Sequence, residues 1–292
     1  MRHSASNPSV WEVVIEFHRP EMEEWFVERV TALQNVGMYW TVRGPVLSAH
    51  VFTDAPPEAR SLWEELARWD PEVQVRQRIL KYRDWQRQWQ RRWRPLRVGH
   101  RWLVRPPWRE ARPQDRDRLP ILIEPRRAFG TGLHETTQLM LRWMETLAFE
   151  GRTVADVGTG TGVLSIAAAR AGAQKVYALD IDVEAVEEAQ SNVRLNGLTD
   201  RIECLVGSFE KLADESVDIL LANLELEPLI EAIPAAARVL RPEGVWLVSG
   251  IFRDHGPVFQ AAVRSSPFRI TGRRRRGEWM SYRLTTKRKG PR

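Results

Sequence analysis

The sequence is short of cysteine, of lysine and of long apolar runs, and each shortage excludes something. A single cysteine, Cys204, leaves no partner for an internal disulfide. It lies between Glu203 and Leu205 in a short apolar run, which predicts a buried, inert thiol. No stretch approaches the roughly 18 apolar residues of a membrane-spanning helix. The start, Met1-Arg-His-Ser-Ala-Ser-Asn-Pro8, carries no apolar signal core. These features predict a cytoplasmic protein. The HExxH zinc pattern is missing too, because Gln138 stands where His134-Glu135 would need a second histidine.

Of 44 basic residues only Lys81, Lys175, Lys211, Lys287 and Lys289 are lysines, which leaves 39 arginines. Codon composition alone can produce that bias, so the distribution says more than the total. Arg76 to Arg118 holds 15 basic residues against 4 acids, and Arg264 to Arg292 holds 11 against 1. The remainder therefore carries −15 within a net charge of +6. Two basic segments flank an acidic body. Such segments predict either contact with RNA phosphates or a solvated arginine face.

What is present divides in two. With 292 residues and 43% hydrophobic content, the chain can bury one large α/β core and a smaller one. Val10 to Phe17, Val36 to Val42, Val46 to Phe52 and Val73 to Leu80 read as strands. The segment opening at Pro20, with apolar Met22, Trp25, Phe26, Val30 and Leu33, and the segment Pro57 to Trp69 read as helices. The order βαββαβ predicts a small α+β ferredoxin-like module over residues 1–80, suited to docking a partner. Asp84 to Arg94 then spaces Trp85, Trp89 and Trp93 four apart, which stacks them on one face of a linker helix over residues 81–96.

From residue 97 to 292 strands and helices alternate. Short strands are expected around Arg101 to Val104 and Ile121 to Ile123, then helices at Leu139 to Leu147, Val163 to Ala171, Val183 to Asn196, Leu226 to Leu240 and Gly256 to Ser265. Strands fall at Lys175 to Leu179, Ile202 to Val206, Val217 to Ala222, Val245 to Ser249, Phe268 to Arg273 and Trp279 to Leu284. Such alternation predicts a doubly wound sheet with its ligand at the carboxyl ends of the strands. Gly158, Asp180, Ser208 and Asn223 all fall there.

Two stretches carry chemistry. Asp156-Val-Gly-Thr-Gly-Thr-Gly162 turns strand into helix with no Cβ at Gly158, Gly160 and Gly162, so a ligand can lie against the backbone. Asp180 ends the next strand, 22 residues beyond Gly158, where a carboxylate can accept both ribose hydroxyls. The dinucleotide spacing fails, because Val163 stands where the third glycine of Gly-x-Gly-x-x-Gly is required. That disfavours a nicotinamide oxidoreductase. The second stretch, Ala128-Phe-Gly-Thr-Gly-Leu-His-Glu-Thr-Thr137, is a glycine turn before a helix and could close over a cofactor, with Phe129 among its candidate contacts and His134 as a structural residue.

The alternate-glycine loop resembles the first motif of class I methyltransferases. Together with Ala128 to Thr137, Leu179-Asp-Ile-Asp182 and Ala222-Asn223-Leu224, it resembles the PrmA family, methyltransferases of ribosomal protein L11, over roughly residues 84 to 284. The resemblance implies S-adenosylmethionine contact by Thr137, Gly158, Asp180 and Asn223, and transfer to lysine and α-amino nitrogens of the ribosomal protein. It also implies substrate docking by a small N-terminal domain. Asp156, Gly160, Gly162 and Ser208 join the candidate cofactor contacts, and Asn223 is the candidate catalytic residue, aligning the acceptor amine. The departures are Leu133, Glu135, Thr159 and the run Asn223-Leu-Glu-Leu226, the last of which alters the floor of the acceptor site. A related methyltransferase acting on other lysines or on ribosomal RNA, and a non-catalytic ribosome-associated module, remain alternatives.

Overall fold

The computed structural model describes residues 9–18, 37–43, 46–53, 64, 66–68, 71–81, 94–124 and 134–287. The expected helix after Pro20, most of the one from Pro57, the tryptophan face of the linker and Phe129 lie outside them. The chain divides into two compact units, Met1–Trp93 and Arg94–Arg292. Lys81 still belongs to a strand and Leu96 already opens one, so the expected linker of 81–96 is too wide at both ends.

In the first unit β1 (Ser9–Phe17), β2 (Gly37–Arg43), β3 (Val46–Thr53) and β4 (Gln74–Lys81) form one antiparallel sheet in the order β2-β3-β1-β4. Alternation sends Val13, Ile15 and Phe17 of β1 to one face, where they pack with Ala49, Val51, Leu66 and Val73.

The second unit opens with β5 (Leu96–Val98), β6 (Trp102–Arg105) and β7 (Leu119–Leu122), a small sheet whose first strand the sequence did not betray. Trp102 anchors it to helix α1 (Glu135–Met144) by donating its indole N–H to the Leu141 carbonyl at 2.8 Å.

The large sheet has seven strands: β8 (Thr153–Val157), β9 (Lys175–Asp180), β10 (Ile202–Val206), β11 (Val217–Asn223), β12 (Leu240–Phe252), β13 (Phe268–Arg276) and β14 (Trp279–Thr286). Their order is β10-β9-β8-β11-β12-β14-β13, parallel from β10 to β12 and antiparallel beyond. The chain builds outward from β8 to β10 and then returns to β8's other side with β11. Such a reversal opens a crevice between β8 and β11 at their carboxyl ends.

Both faces are covered, so the central strands are mostly apolar, with Asp156 of β8 a buried exception. Ile219 and Leu221 of β11 face one core with α1, α2 (Val163–Arg170) and α3 (Val183–Leu195). Leu220 and Ala222 face the other with α4 (Leu226–Glu231), α5 (Ile233–Val239) and α6 (Gly256–Arg264). The single helix expected from Leu226 to Leu240 is two helices, and Leu240 already belongs to β12. Pro234, which has no N–H to give, sits in the first turn of α5 and marks the break.

Candidate active site

The glycine loop bridges β8 and α2, and all three of its glycines take left-handed backbones, with φ of 74°, 52° and 80° at Gly158, Gly160 and Gly162. Gly158 and Thr159 both donate their N–H to the Leu179 carbonyl at 2.9 Å, which ties the loop to β9 one residue before Asp180. Gly160 N–H then donates to Asp180 Oδ2 at 2.9 Å, and Asp182 N–H to Oδ1 at 3.1 Å. The Asp180 carboxylate is thus oriented by two backbone donors while keeping lone pairs for a ligand. Ile181 beside it is 81% exposed, an apolar shelf next to an acid. Gly207 N–H donates to the Asp180 carbonyl at 2.8 Å and brings Ser208 to the neighbouring strand end.

Two of the expected contacts are enclosed in the structure. Asp156 is 0% exposed and lies beneath the loop. Its Oδ2 accepts from Thr159 Oγ1 at 2.8 Å, Ser165 Oγ at 2.7 Å and Ser165 N–H at 3.1 Å, so it braces the loop against α2. Burial pushes its pKa up to about 6 against those hydrogen bonds, and the charge of Asp180 adds to the rise. Gly162 is the N-cap of α2, and a Cβ there would sit 3.3 Å from Ala189 Cβ. Its glycine serves helix packing and a left-handed turn. Cys204, expected to be buried, is half-buried, and burial pushes its thiol up to about 11.

Asn223 ends β11 across the crevice. Its Nδ2 donates to Thr136 Oγ1 at 3.2 Å and Thr137 Oγ1 at 3.5 Å, at the start of α1. Its Oδ1 is enclosed and has no partner among the described residues. Asn223 pairs in register with Ser249, and Leu224 N–H donates to the Ser249 carbonyl at 3.1 Å. Leu224 fills the space in front of two left-handed glycines, Gly158 and Gly250: a Cβ on either would collide with it. The unusual run after Asn223 is therefore fitted tightly between the ends of β8 and β12.

His134 caps α1, with Nδ1 2.8 Å from Thr136 Oγ1 and accepting from Thr136 N–H at 3.4 Å. Burial lowers its pKa, so the ring is neutral near pH 7 and Nδ1 accepts the Thr136 hydroxyl proton. Thr136 in turn accepts from Asn223. His134 also meets Trp279 edge-on at 5.0 Å, and Trp279 lies against Phe252 with centroids 4.0 Å apart. These aromatics were missed in the sequence, because only the pairing of Phe252 with Trp279 brings the ends of β12 and β14 together. Ile181 left a local signal, an apolar residue directly after the strand-end acid.

A family model for ribosomal protein L11 methyltransferase (PrmA) matches residues 22–288. The chain belongs to that family. A relative from Desulforamulus reducens, named ribosomal protein L11 methyltransferase, is 34% identical over 199 residues, which span 68% of this chain and 64% of that protein. One of the same name from Symbiobacterium thermophilum is 37% identical over 207 residues, 71% of this chain and 67% of that one. The crystal structure of ribosomal protein L11 methylase from Lactobacillus delbrueckii subsp. bulgaricus superposes with a TM-score of 0.61 at 30% identity, covering 66% of this chain and 98% of that one.

Proposed function

We propose that this chain is a cytoplasmic S-adenosylmethionine-dependent N-methyltransferase whose acceptor is ribosomal protein L11, at lysine and α-amino nitrogens. The observation that carries the reading is the enclosed Oδ1 of Asn223, without a partner among the described residues, at the end of β11 beside the strand that leads into the glycine loop of a family member. S-adenosylmethionine, when bound, supplies an electrophilic methyl on a sulfonium. The residues present fit it: Asp180 offers acceptors to ribose hydroxyls, Ile181 an apolar shelf to the purine, and Gly158 to Gly160 a backbone free of Cβ atoms at its two glycines.

The remaining chemistry falls to the protein. A lysine with a reference pKa near 10.4 must shed its proton before it can attack, and a desolvated crevice favours the neutral amine. Asn223 Oδ1 accepts an N–H of that amine and so fixes the direction of its lone pair. Thr136 and His134 hold the amide from behind. Trp279, stacked on Phe252, puts apolar surface beside His134.

The antiparallel order β2-β3-β1-β4 supports a ferredoxin-like module in the first unit, which docks the protein substrate. Ribosomal RNA is a second contact, through the basic segments. The test is transfer of labelled methyl groups to purified L11, with the modified nitrogens located by mass spectrometry. A chain starting at Arg94 should keep cofactor affinity and lose transfer at low L11 concentration. Label that enters only ribosomal RNA, or other proteins, would replace the acceptor.

A further inference from the structure

Strands β13 and β14 close one edge of the large sheet, and their register decides which side chains share a face. Arg269 pairs with Thr285, Gly272 with Arg283, Arg274 with Ser281, and Arg276 with Trp279. Directly opposed residues of antiparallel strands project to the same side. That side is the one covered by α1, because Trp143 Nε1 donates to Ser281 Oγ at 3.0 Å. Arg269, Arg283, Arg274 and Arg276 therefore form one row on the α1 face, running toward Trp279 at the carboxyl end of the sheet. Arg142 of α1 adds an exposed guanidinium to it.

The row is fitted to its surroundings. Gly272 leaves room for the Trp143 ring, which a Cβ would approach to 2.5 Å, and the Arg274 guanidinium stacks over the same indole at 4.0 Å. Burial there, together with the charge of Arg142, disfavours the ionised form of Arg274, so a bound anion would relieve the crowding. Arg269 Nε donates to Thr285 Oγ1 at 3.3 Å, and Arg283 Nε is enclosed with no partner among the described residues. None of the four arginines in the row makes an ion pair among the described residues. Glu145, the acid that acts on Arg274, already accepts the N–H groups of His100 and Arg101 at 2.8 and 2.7 Å. Glu278 in the hairpin turn is held by Arg253 at 3.3 Å.

We propose that this arginine row binds the phosphate backbone of RNA. Arg274 and Arg276, alternate residues of β13, lie about 6.7 Å apart, and Arg283 opposite Gly272 and Arg269 beyond the bulge at Thr271 extend the line, so the row presents successive cations to a polyanion. Guanidinium forks bond phosphate oxygens in pairs. β13 is an edge strand, so its outer backbone N–H groups add donors along the same line. The inference rests on the reading that the acceptor is a ribosomal component, which is where RNA would lie beside it.

The test uses the full chain and a fluorescent RNA hairpin of roughly 20 nucleotides, titrated at several salt concentrations. The triple variant Arg269→Gln, Arg276→Gln, Arg283→Gln should bind about tenfold more weakly or worse. Its slope of log affinity against log salt should fall by about 2, since each neutralised phosphate adds about 0.7–0.9 to that slope. The matching Arg→Lys triple should retain the slope, which separates charge from folding. Both variants should methylate isolated L11 at the unaltered rate. Equal RNA affinity and slope in the Gln triple would overturn the proposal, as would a poly-glutamate peptide that binds as tightly as the RNA. An unaltered chain that binds RNA through the row yet never methylates L11 would leave the row standing and remove the acceptor instead.

Discussion

Asn223 Nδ2 donates to Thr136 Oγ1 at 3.2 Å, and this bond orients the amide whose enclosed Oδ1 has no partner among the described residues. If that orientation aligns the amine, Asn223→Ala should keep turnover low by roughly two decades even at saturating cofactor. Thr136→Val removes the acceptor that holds the amide and should lower kcat with little change in KM, whereas Thr136→Ser should restore it. Asn223→Asp would favour the protonated amine and shift the rise of turnover to higher pH. Near-normal turnover and unchanged pH profiles in Asn223→Ala, Asn223→Asp and Thr136→Val would leave Asn223 as a strand-end residue.

Asp180 is held by the N–H groups of Gly160 and Asp182 with its carboxylate at the β9 end. Asp180→Ala removes a charged acceptor for two hydroxyls and also frees the loop. Calorimetry with S-adenosylmethionine should show a loss of about 3 kcal/mol, more than a hundredfold. An unchanged dissociation constant takes Asp180 out of the site.

Gly158 is barred from carrying a side chain twice over, by φ of 74° and by Leu224 in front of it. Gly158→Ala should weaken cofactor binding by roughly a factor of ten, and adding Leu224→Ala should recover only part, because the backbone strain of about 1 kcal/mol persists. Full recovery in the double variant would assign the whole effect to the collision.

Asp156 carries a pH signature in stability. Its folded pKa, about 6, lies above the ordinary 3.8, so the native state favours the protonated acid. The stability it contributes is complete below pH 3.8 and is lost as pH rises through about 6, a change of about 3 kcal/mol. Asp156→Asn keeps an acceptor for Thr159 and Ser165 without the charge. The difference in unfolding free energy between the two proteins should therefore move in favour of the variant between about pH 4 and about 7. Parallel stability curves would mean that the carboxyl stays ionised throughout.

Much of this arrangement was legible in the sequence, for physical reasons. Strands covered on both faces carry runs of apolar residues, so β8, β9 and β11 announced themselves by Val154-Ala155, Val176 to Leu179 and Ile219 to Ala222. Three alternating glycines followed by a strand-end acid have few other uses. The burial of Asp156 was less legible, because its position beside the loop hid its parity: it shares a strand face with Val154 and so points under α2, into the core. Leu226 to Val239 read as one helix because its apolar rhythm survives the break at Pro234. Trp279, Phe252 and the arginine row depend on the register of the last hairpin, and register follows from long-range pairing that no local pattern records.

The position of β14 sets the timing of assembly. It follows every other described strand in the sequence, yet it lies inside the sheet, between β12 and β13. Until Trp279–Thr286 has emerged, β13 has no partner through which to join the sheet, Trp143 lacks Ser281, and the crevice lacks the indole beside His134. The first unit holds all four of its strands within residues 9–81 and can close during synthesis. The second must wait until Trp279–Thr286 has emerged, so a nascent polypeptide carries a folded first sheet well before its second sheet is complete.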